Sequence, residues 1–385
     1  MPFSGKATYT AGSTLPEIAE DVSDLVSLAS PYETALLDAL GDPARPARST
    51  VHEWLEDSLL PNSSTINDST YTNVLTDTTF VITHVNRFRV GDLIRIEGAT
   101  EVMLVTAVDT GSSTLTVTRG YGASAASSLS NGAKVIILAN AALEGADAAA
   151  ARFTARSRRI NYTQIFSSTV EVSGSELAVK QLGVADELNY QKQQRTRELL
   201  RDLENSVING RAPASSPEGS ASVRRTMRGI LSFVTTNVFV PSVSDFPEET
   251  ALTEIQLNLA LREVWQGSAG QVDTIVCGGR EKRMINNFLA SSRRYTPQSD
   301  TFRDNVSVYE SDFGVCRIVM SRWMPSGVVL LLDSSRIEVM PLSGRSFTYK
   351  PLARTGDRES GQVVGEYTLE LRNENAHGVI TGLLG

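Results

Sequence analysis

The chain contains one long helical segment that is polar through its middle, and this segment restricts the possible folds more than any other. A short helical stretch begins at Ser173, breaks at Gly183, and is followed by the pattern of one helix that ends at Gly210. Roughly 26 residues at ~1.5 Å each give about 40 Å of helix. Residues 191–197 (QKQQRTR) are polar on every face, and the apolar stripe is sparse: Leu188, Leu199, Leu203 and Val207. Such a helix cannot be the core helix of a lone globule, so it must lie on a surface, in solvent or against another subunit.

An arginine-rich extended segment precedes this helix. It contains Arg152, Arg156, Arg158 and Arg159, followed by the sequence NYTQIF at 161–166. Arginine pairs with carboxylates in a bidentate manner and also binds nucleic-acid phosphates. Residues 11–60 hold ten acidic and two basic groups, whereas residues 141–230 hold ten acidic and thirteen basic groups. We therefore favour pairing between subunits over solvated charge, and solvated charge over nucleic-acid binding, because the net charge of −8 is unlike that of a dedicated nucleic-acid binder.

Length and cysteine content limit the class of protein. At 385 residues the chain exceeds the ~250–300 residues that one core serves, so two or three domains are expected. Two cysteines, Cys277 and Cys316, make neither a disulfide framework nor a zinc site. The first residues lack the pattern of a signal peptide, and no apolar run reaches the ~20 residues of a membrane span. A product of a reducing cytoplasm, without membrane contact, is expected.

The hydrophobic pattern changes along the chain and indicates its domains. Residues 1–75 have the character of an arm, and the apolar pattern of residues 24–40 predicts one helix interrupted near Pro31. Residues 76–140 contain short alternating runs separated by glycine turns, which predict five or six strands in a small barrel or sandwich. Residues 225–340 have the pattern of an α/β domain, with a helix capped by Thr253 and ending at Gly267.

Motifs for catalysis are weak. The histidines His52, His84 and His377 are far apart, and HEWLE at 52–56 lacks the second histidine of a zinc-protease motif. The stretch VCGGREKR at 276–283 predicts a strand, a glycine turn and a helix N-terminus, a geometry that holds phosphate. It lacks GxGxxG and the acidic residue about 20 positions later, so a tight turn is the simpler interpretation. We expect no catalytic residues and no cofactor or metal.

Five segments in order along the chain resemble the major capsid (major head) proteins of tailed double-stranded DNA bacteriophages, which have the Hong Kong 97-type fold. None of them is a catalytic signature, and the likeness rests on their order and spacing. The segments are Asp24–Leu40, His52–Leu59, Arg158–Gly174, Glu187–Gly210 and Thr355–Gly378.

The resemblance implies an α+β, Hong Kong 97-like fold with a small all-β insertion. Its expected parts are an N-terminal arm (1–75), the insertion (76–140), an extended loop (141–172), a peripheral domain with the spine helix (173–230 and 341–385) and an axial domain (231–340). The implied function is structural and non-enzymatic. Pentamers and hexamers would form an icosahedral head around double-stranded DNA, assembled in the host bacterial cytoplasm. The alternatives are a decoration or tail component and, remotely, a nucleotide-binding enzyme.

The resemblance also implies which residues meet neighbouring subunits. The expected interface residues are Trp54, Arg152, Arg156, Arg158, Arg159, Tyr162, Gln164, Ile165 and Phe166. Expected partners are further copies of the chain, with scaffold, portal and decoration proteins, and packaged DNA contacted without sequence specificity. Some relatives join subunits by a Lys–Asn bond from the extended loop. This chain has no lysine between Lys134 and Lys180, so that chemistry is not expected.

Overall fold

The structure is a computed structural model that describes residues 33–145, 147, 151, 153–154, 156–178, 186–243, 246–292, 308–353 and 356–384. Two compact units are present, one formed by Leu55–Ser157 and the other by the chain on either side of it. Among the helices of these described residues, none has the length and apolarity that crossing a bilayer requires.

The described chain contains both helices and strands, as expected for a mixed fold. The helices are α1 Ala35–Leu40, α2 Gly174–Ala178, α3 Glu187–Asn209, α4 Ile230–Phe233, α5 Glu254–Gly267 and α6 Gly279–Ser292. The first nine strands are β1 Val51–Glu56, β2 Ser63–Thr65, β3 Thr79–Val81, β4 Asp92–Ile96, β5 Met103–Asp109, β6 Thr114–Thr118, β7 Lys134–Asn140, β8 Ser157–Tyr162 and β9 Gln164–Ser173. The others are β10 Val238–Phe239, β11 Thr274–Cys277, β12 Val308–Ser311, β13 Gly314–Met320, β14 Val329–Leu332, β15 Ile337–Pro341, β16 Thr348–Pro351, β17 Arg358–Leu371 and β18 Gly378–Ile380.

The 55–157 unit is a small closed barrel. Its six strands follow the order β2-β7-β4-β5-β6-β3, and an antiparallel bridge between Ile66 and Ile82 joins the two ends of that sheet. Alternate side chains of β4 and β6 point into one apolar core. The five alternating runs predicted within 76–140 are strands β3 to β7. The unit extends beyond those limits because β2, earlier in the sequence, supplies its sixth strand.

A buried ion pair lies inside this barrel. Glu101 accepts hydrogen bonds from the Arg119 guanidinium at 2.8 and 2.7 Å, and from the backbone amides of Gly120 (3.0 Å) and Ser127 (2.7 Å). Burial by itself raises the pKa of Glu101, but these donors and the arginine charge outweigh it and hold that pKa below its usual value. The buried Glu101 charge therefore has both a counter-charge and hydrogen-bond donors, as a buried charge must.

We predict that Glu101→Gln destabilises the barrel by about 3 kcal/mol, because a buried arginine loses its counter-charge. Hydrogen exchange measured by mass spectrometry over residues 79–118 would report the change. The matched control is Glu97→Gln, which removes an exposed partner of Lys134 at 3.2 Å and should cost less than about 1 kcal/mol. Equal effects of the two variants would contradict the prediction.

The α/β part of the other unit is a six-stranded mixed sheet with the order β10-β18-β14-β11-β13-β12. Helix α5 begins with a capping box, in which the Thr253 side chain and the Gln256 side chain each bind the other's backbone amide. This helix, the strand at 274–277 and the helix after it confirm the predicted elements. Cys277 and Cys316 are buried among apolar side chains, and burial raises the pKa of each thiol, to about 12 and about 11.

Helix α3 packs on a second sheet, built around the 14-residue strand β17. Strand β9 pairs with β17 over ten residues, and β15 and β16 pair along its other edge. The C-terminal half of α3 buries Leu199, Leu203, Val207 and Ile208 in the core. Its polar middle is half-buried rather than open to solvent, and Lys192 lies 4.1 Å above the Tyr349 ring. The helix is a surface helix, as predicted, whose long polar side chains cover aromatic surface.

Two glycines of β17 allow these aromatic rings to approach the sheet. A Cβ atom at Gly365 would lie 2.4 Å from Phe347 Cδ1, and one at Gly361 would lie 2.1 Å from Tyr349 Oη. The rings therefore rest directly on the backbone of the strand.

A helix interrupted near Pro31 is predicted for the segment 24–40. Residues 35–40 of this segment form α1, and residues 24–32 lie outside the described residues.

Candidate subunit interface and its buried supports

Strands β1 and β8 form a two-stranded ribbon that carries four of the predicted interface residues, Trp54, Arg158, Arg159 and Tyr162. Arg158 and Arg159 are exposed on it, and Arg158 Nη1 lies 3.5 Å from Glu53 Oε1, with both side chains largely in solvent. An exposed ion pair of this kind adds little to stability. The Arg158 charge can therefore serve contacts other than the fold of the subunit at little cost to stability.

The predicted aromatic residues lie in the core of the subunit itself. Trp54 packs 5.9 Å from the Phe233 ring, and Phe166 packs edge-on at 6.3 Å from Phe347. Tyr162 is buried, and its carbonyl accepts a hydrogen bond from Thr368 Oγ1 at 3.1 Å. These three side chains anchor the ribbon to the subunit, and a direct role for them between subunits stays a prediction.

The other predicted residues divide by exposure. Gln164 is tied to the subunit, because it donates to Ser206 Oγ at 3.3 Å and accepts from the Met227 amide at 3.1 Å. Ile165 beside it is 51% exposed. Arg156 is exposed in the 55–157 unit, and Arg152 lies outside the described residues. Ile165, Arg156, Arg158 and Arg159 are thus the exposed members of the predicted set, and their contact with a neighbour stays a prediction.

Two buried carboxylates of β17 hold the ribbon and the chain next to it. Glu370 binds His52 Nε2 at 2.5 Å and Arg45 at 3.2 Å. Glu366 accepts from Thr163 Oγ1 at 2.5 Å and pairs with Arg225 at 2.6 Å and Arg345 at 2.7 Å. Burial by itself raises the pKa of Glu370, but the hydrogen bond and charge of His52 and the arginines lower it below its usual value.

Asn161 completes this anchor, at the junction of the ribbon and the main sheet. Its side-chain amide donates to the carbonyls of Leu369 (2.7 Å) and Arg228 (3.0 Å), and its oxygen accepts from the Arg228 amide (2.8 Å). The residue is fully buried and its polar atoms are paired. A satisfied buried amide selects one geometry of the backbone, so the chain at this junction is held in one conformation.

Glu204 is a buried carboxylate that sequence reasoning missed. It lies on the apolar face of α3 and accepts the backbone amides of Leu36 (3.1 Å) and Leu37 (3.4 Å) and the Ser321 hydroxyl (2.6 Å). Helix α1 has no side-chain cap of its own, so Glu204 supplies it. Burial raises the pKa of Glu204, against the hydrogen bonds from Ser321, Leu37 and Leu36. The signal in the sequence is a glutamate directly after Leu203 in the apolar stripe.

The candidate phosphate turn at 276–283 is occupied by the chain itself. Glu281 is buried in the first turn of α6, and its carboxylate accepts from the Gly327 amide at 3.0 Å. A carboxylate at this position repels phosphate. The tight-turn interpretation is therefore the better one, and within the described residues no group of three His, Cys, Asp or Glu side chains could hold a metal ion.

Comparison with known proteins identifies the family. The SU10 major capsid protein family matches residues 4–384. The chain belongs to this family. It is therefore a structural component of a phage capsid, as the resemblance in its sequence implies, and the family is a non-enzymatic one. No significantly similar sequence is found among curated proteins.

Solved structures show the fold of this capsid protein. A chain of Microbacterium phage Oxtober96 is 11% identical, with 97% of this chain and 98% of that chain covered and a TM-score of 0.51. A chain from the capsid of a native GTA particle is 9% identical, with 98% and 99% covered and a TM-score of 0.51. The predicted α+β, Hong Kong 97-like capsid fold is confirmed, and identities this low show the fold alone.

We predict that Glu204→Ala destabilises the capsid protein by about 2–4 kcal/mol, because two backbone amides and a hydroxyl lose their acceptor. Chemical denaturation of the subunit would measure the loss, and hydrogen exchange would locate it at residues 35–40. Glu198→Ala is the control, since Glu198 is a half-exposed residue of the same helix paired with Arg195 at 2.7 Å. It should cost about 0.5 kcal/mol or less. A full-sized effect of the control would contradict the assignment.

We also predict the sign of the pH dependence at this site. The pKa of Glu204 is raised above its ordinary value of 4.5 in the folded state, so the unfolded chain ionises first as the pH rises. The stability that neutral Glu204 contributes is therefore present below about pH 4.5 and is lost as pH rises through the folded pKa. The free energy of unfolding of the wild type minus that of Glu204→Gln should fall over this window. A difference that rises with pH would show that the pKa is lowered instead.

Proposed function

We propose that this capsid protein assembles into pentamers and hexamers that close into an icosahedral head around double-stranded DNA, in the cytoplasm of the host bacterium. The proposal assigns the parts in the order given by the sequence: arm, insertion, extended loop, peripheral domain with helix α3, and axial domain. The family and the fold support it, because a shell subunit needs repeated interfaces rather than a catalytic centre.

The ribbon is the observation that carries this proposal. Asn161 and the buried carboxylates of β17 hold the end of the ribbon that adjoins the main sheet. Arg158 and Arg159 of the ribbon are exposed to solvent. An exposed arginine face contributes little to the fold of an isolated subunit and is suitable for contact with another one. Arginine can bind a neighbour's carboxylates in bidentate pairs, and residues 11–60 supply ten acidic groups.

The geometry of assembly follows from the kind of contact. A ribbon on one subunit that meets a different surface on the next makes a heterologous contact, which yields a ring when the rotation closes. Stable contacts bury upwards of about 1,000 Å². Extended segments provide this area from few residues, and Ile165 adds apolar surface next to the arginines.

Further partners belong to the same proposal. Scaffold, portal and decoration proteins would bind the shell, and the packaged DNA would touch it without sequence readout. The net charge of −8 favours DNA contacts that are sparse, since phosphate binding requires concentrated positive charge.

Negative-stain electron microscopy of the protein expressed alone, with its mass distribution in solution, tests the proposal. Rings of five or six subunits, or closed shells, are the expected result. If the protein alone stays monomeric, co-expression with the proteins encoded beside it must yield shells. Their absence in both cases would contradict the proposed assembly.

We predict that Arg158→Glu combined with Arg159→Glu prevents shell formation and leaves the subunit folded. Both side chains are exposed, so reversing their charge changes the outer face of the ribbon and little of the core. Circular dichroism and the melting temperature should match the wild type, while microscopy and sedimentation should show no shells. Arg158→Lys with Arg159→Lys keeps the charge and is the control that should still assemble. Normal shells from the glutamate variant would remove the ribbon arginines from the interface.

A further inference from the structure

The 55–157 unit has an open groove of about 860 Å³ beside the segments by which it joins the rest of the chain. Leu59, Leu60 and Phe153 form its apolar lining, Arg89 and Arg156 provide positive charge, and Asp57 provides a carboxylate. Thr154 Oγ1 donates to Asp57 Oδ2 at 2.9 Å, which ties the two segments of the groove together. The lining residues that the structure describes all belong to this unit.

The apolar lining is almost uncovered. Leu59 is 88% exposed and Phe153 is 87% exposed. Single exposed apolar residues are ordinary, but large ones grouped around a concave surface mark a place where another surface binds. A groove of this volume can hold several side chains.

The charge of the groove indicates the chemistry of its occupant. Arg89 and Arg156 are exposed, and neither has an ion-pair partner among the residues that the structure describes. The occupant must therefore combine apolar side chains with carboxylates. An acidic segment that presents an apolar stripe satisfies both requirements.

Residues 15–28 of the chain (LPEIAEDVSDLVSL) have this composition. Their apolar side chains recur every three or four positions, the spacing of one stripe: Leu15, Ile18, Val22 and Leu25. Glu17, Glu20, Asp21 and Asp24 lie between them, and the segment contains no basic residue. Residues 15–28 lie outside the described residues.

We infer that the groove at Leu59, Phe153 and Arg156 is the docking site for residues 15–28 of a neighbouring copy of this capsid protein. The inference rests on the proposed assembly into shells and adds a specific contact to it. The apolar stripe covers Leu59, Leu60 and Phe153, and the carboxylates pair with Arg89 and Arg156. The β-barrel unit then takes part in the contact between subunits.

Disulfide trapping in assembled particles tests this contact. Cysteine is placed in the full-length chain at position 18, 22 or 25 (I18C, V22C or L25C) together with L59C, and the particles are oxidised. The two native cysteines are buried, so they contribute little background. A ladder of covalent multimers on a non-reducing gel, from at least one of the three pairs, is the expected result. The matched control pairs the same arm cysteines with Y121C, at a residue of the same unit that is 44% exposed outside the groove. Its ladder should be at least about tenfold weaker.

Charge reversal provides a second measurement. Arg89→Glu with Arg156→Glu should reduce the ladder several-fold, and adding Glu17→Arg with Glu20→Arg should restore it. Shells that form normally with no ladder, with a ladder equal to that of the control, or with disulfides only inside single chains would overturn the docking site and leave the capsid function standing. A failure to form any shell with the wild-type chain would instead count against the proposed assembly. A groove covered by a separate protein in purified particles would also overturn the inference.

Discussion

The buried carboxylates of β17 are the interaction on which the rest of this subunit depends. Glu366 and Glu370 lie four residues apart on one face of the strand, and between them they bind His52, Thr163 and four arginines. A carboxylate removed from water is strongly unfavourable unless every partner is in place. The ribbon and the linker before it are therefore held in one arrangement. Through this arrangement, residues far apart in sequence become a single rigid base for an exposed arginine face.

Glu204 is also a buried carboxylate that binds groups distant in sequence, but its pKa is shifted in the opposite direction to that of Glu370. Glu370 has charged partners, so its pKa is lowered and its contribution to stability is present above about pH 4.5 and lost as pH falls through the folded pKa. Glu204 has neutral donors, so burial dominates and its pKa is raised. The two sites respond to acid in opposite directions, because one carboxylate faces positive charge and the other faces amides and a hydroxyl.

Much of the local structure could be predicted from residue patterns. Alternation with glycine turns predicted five barrel strands, and Thr253 predicted the start of α5. The polar stretch at 191–197 placed α3 on a surface. The same stretch misrepresented how much of the helix is covered, because its side chains are half-buried and the Lys192 ammonium lies over the Tyr349 ring. The sixth barrel strand, Ser63–Thr65, was missed because its residues are typical of a loop. They form a strand because closure of the barrel provides their pairing partners.

The sequence by itself determined the elements, the family likeness and the charge contrast between the acidic N-terminal region and the arginine-rich segment, since these depend on residue order and periodicity. The tertiary structure alone decided that Trp54, Tyr162 and Phe166 face the core while Ile165, Arg158 and Arg159 face outward. It also decided that Glu204, Glu366 and Glu370 are buried and that Leu59 and Phe153 line an open groove. The physical reason is that burial and ion pairing join residues as much as 325 positions apart, as in Arg45 and Glu370, and no local pattern encodes such a distance.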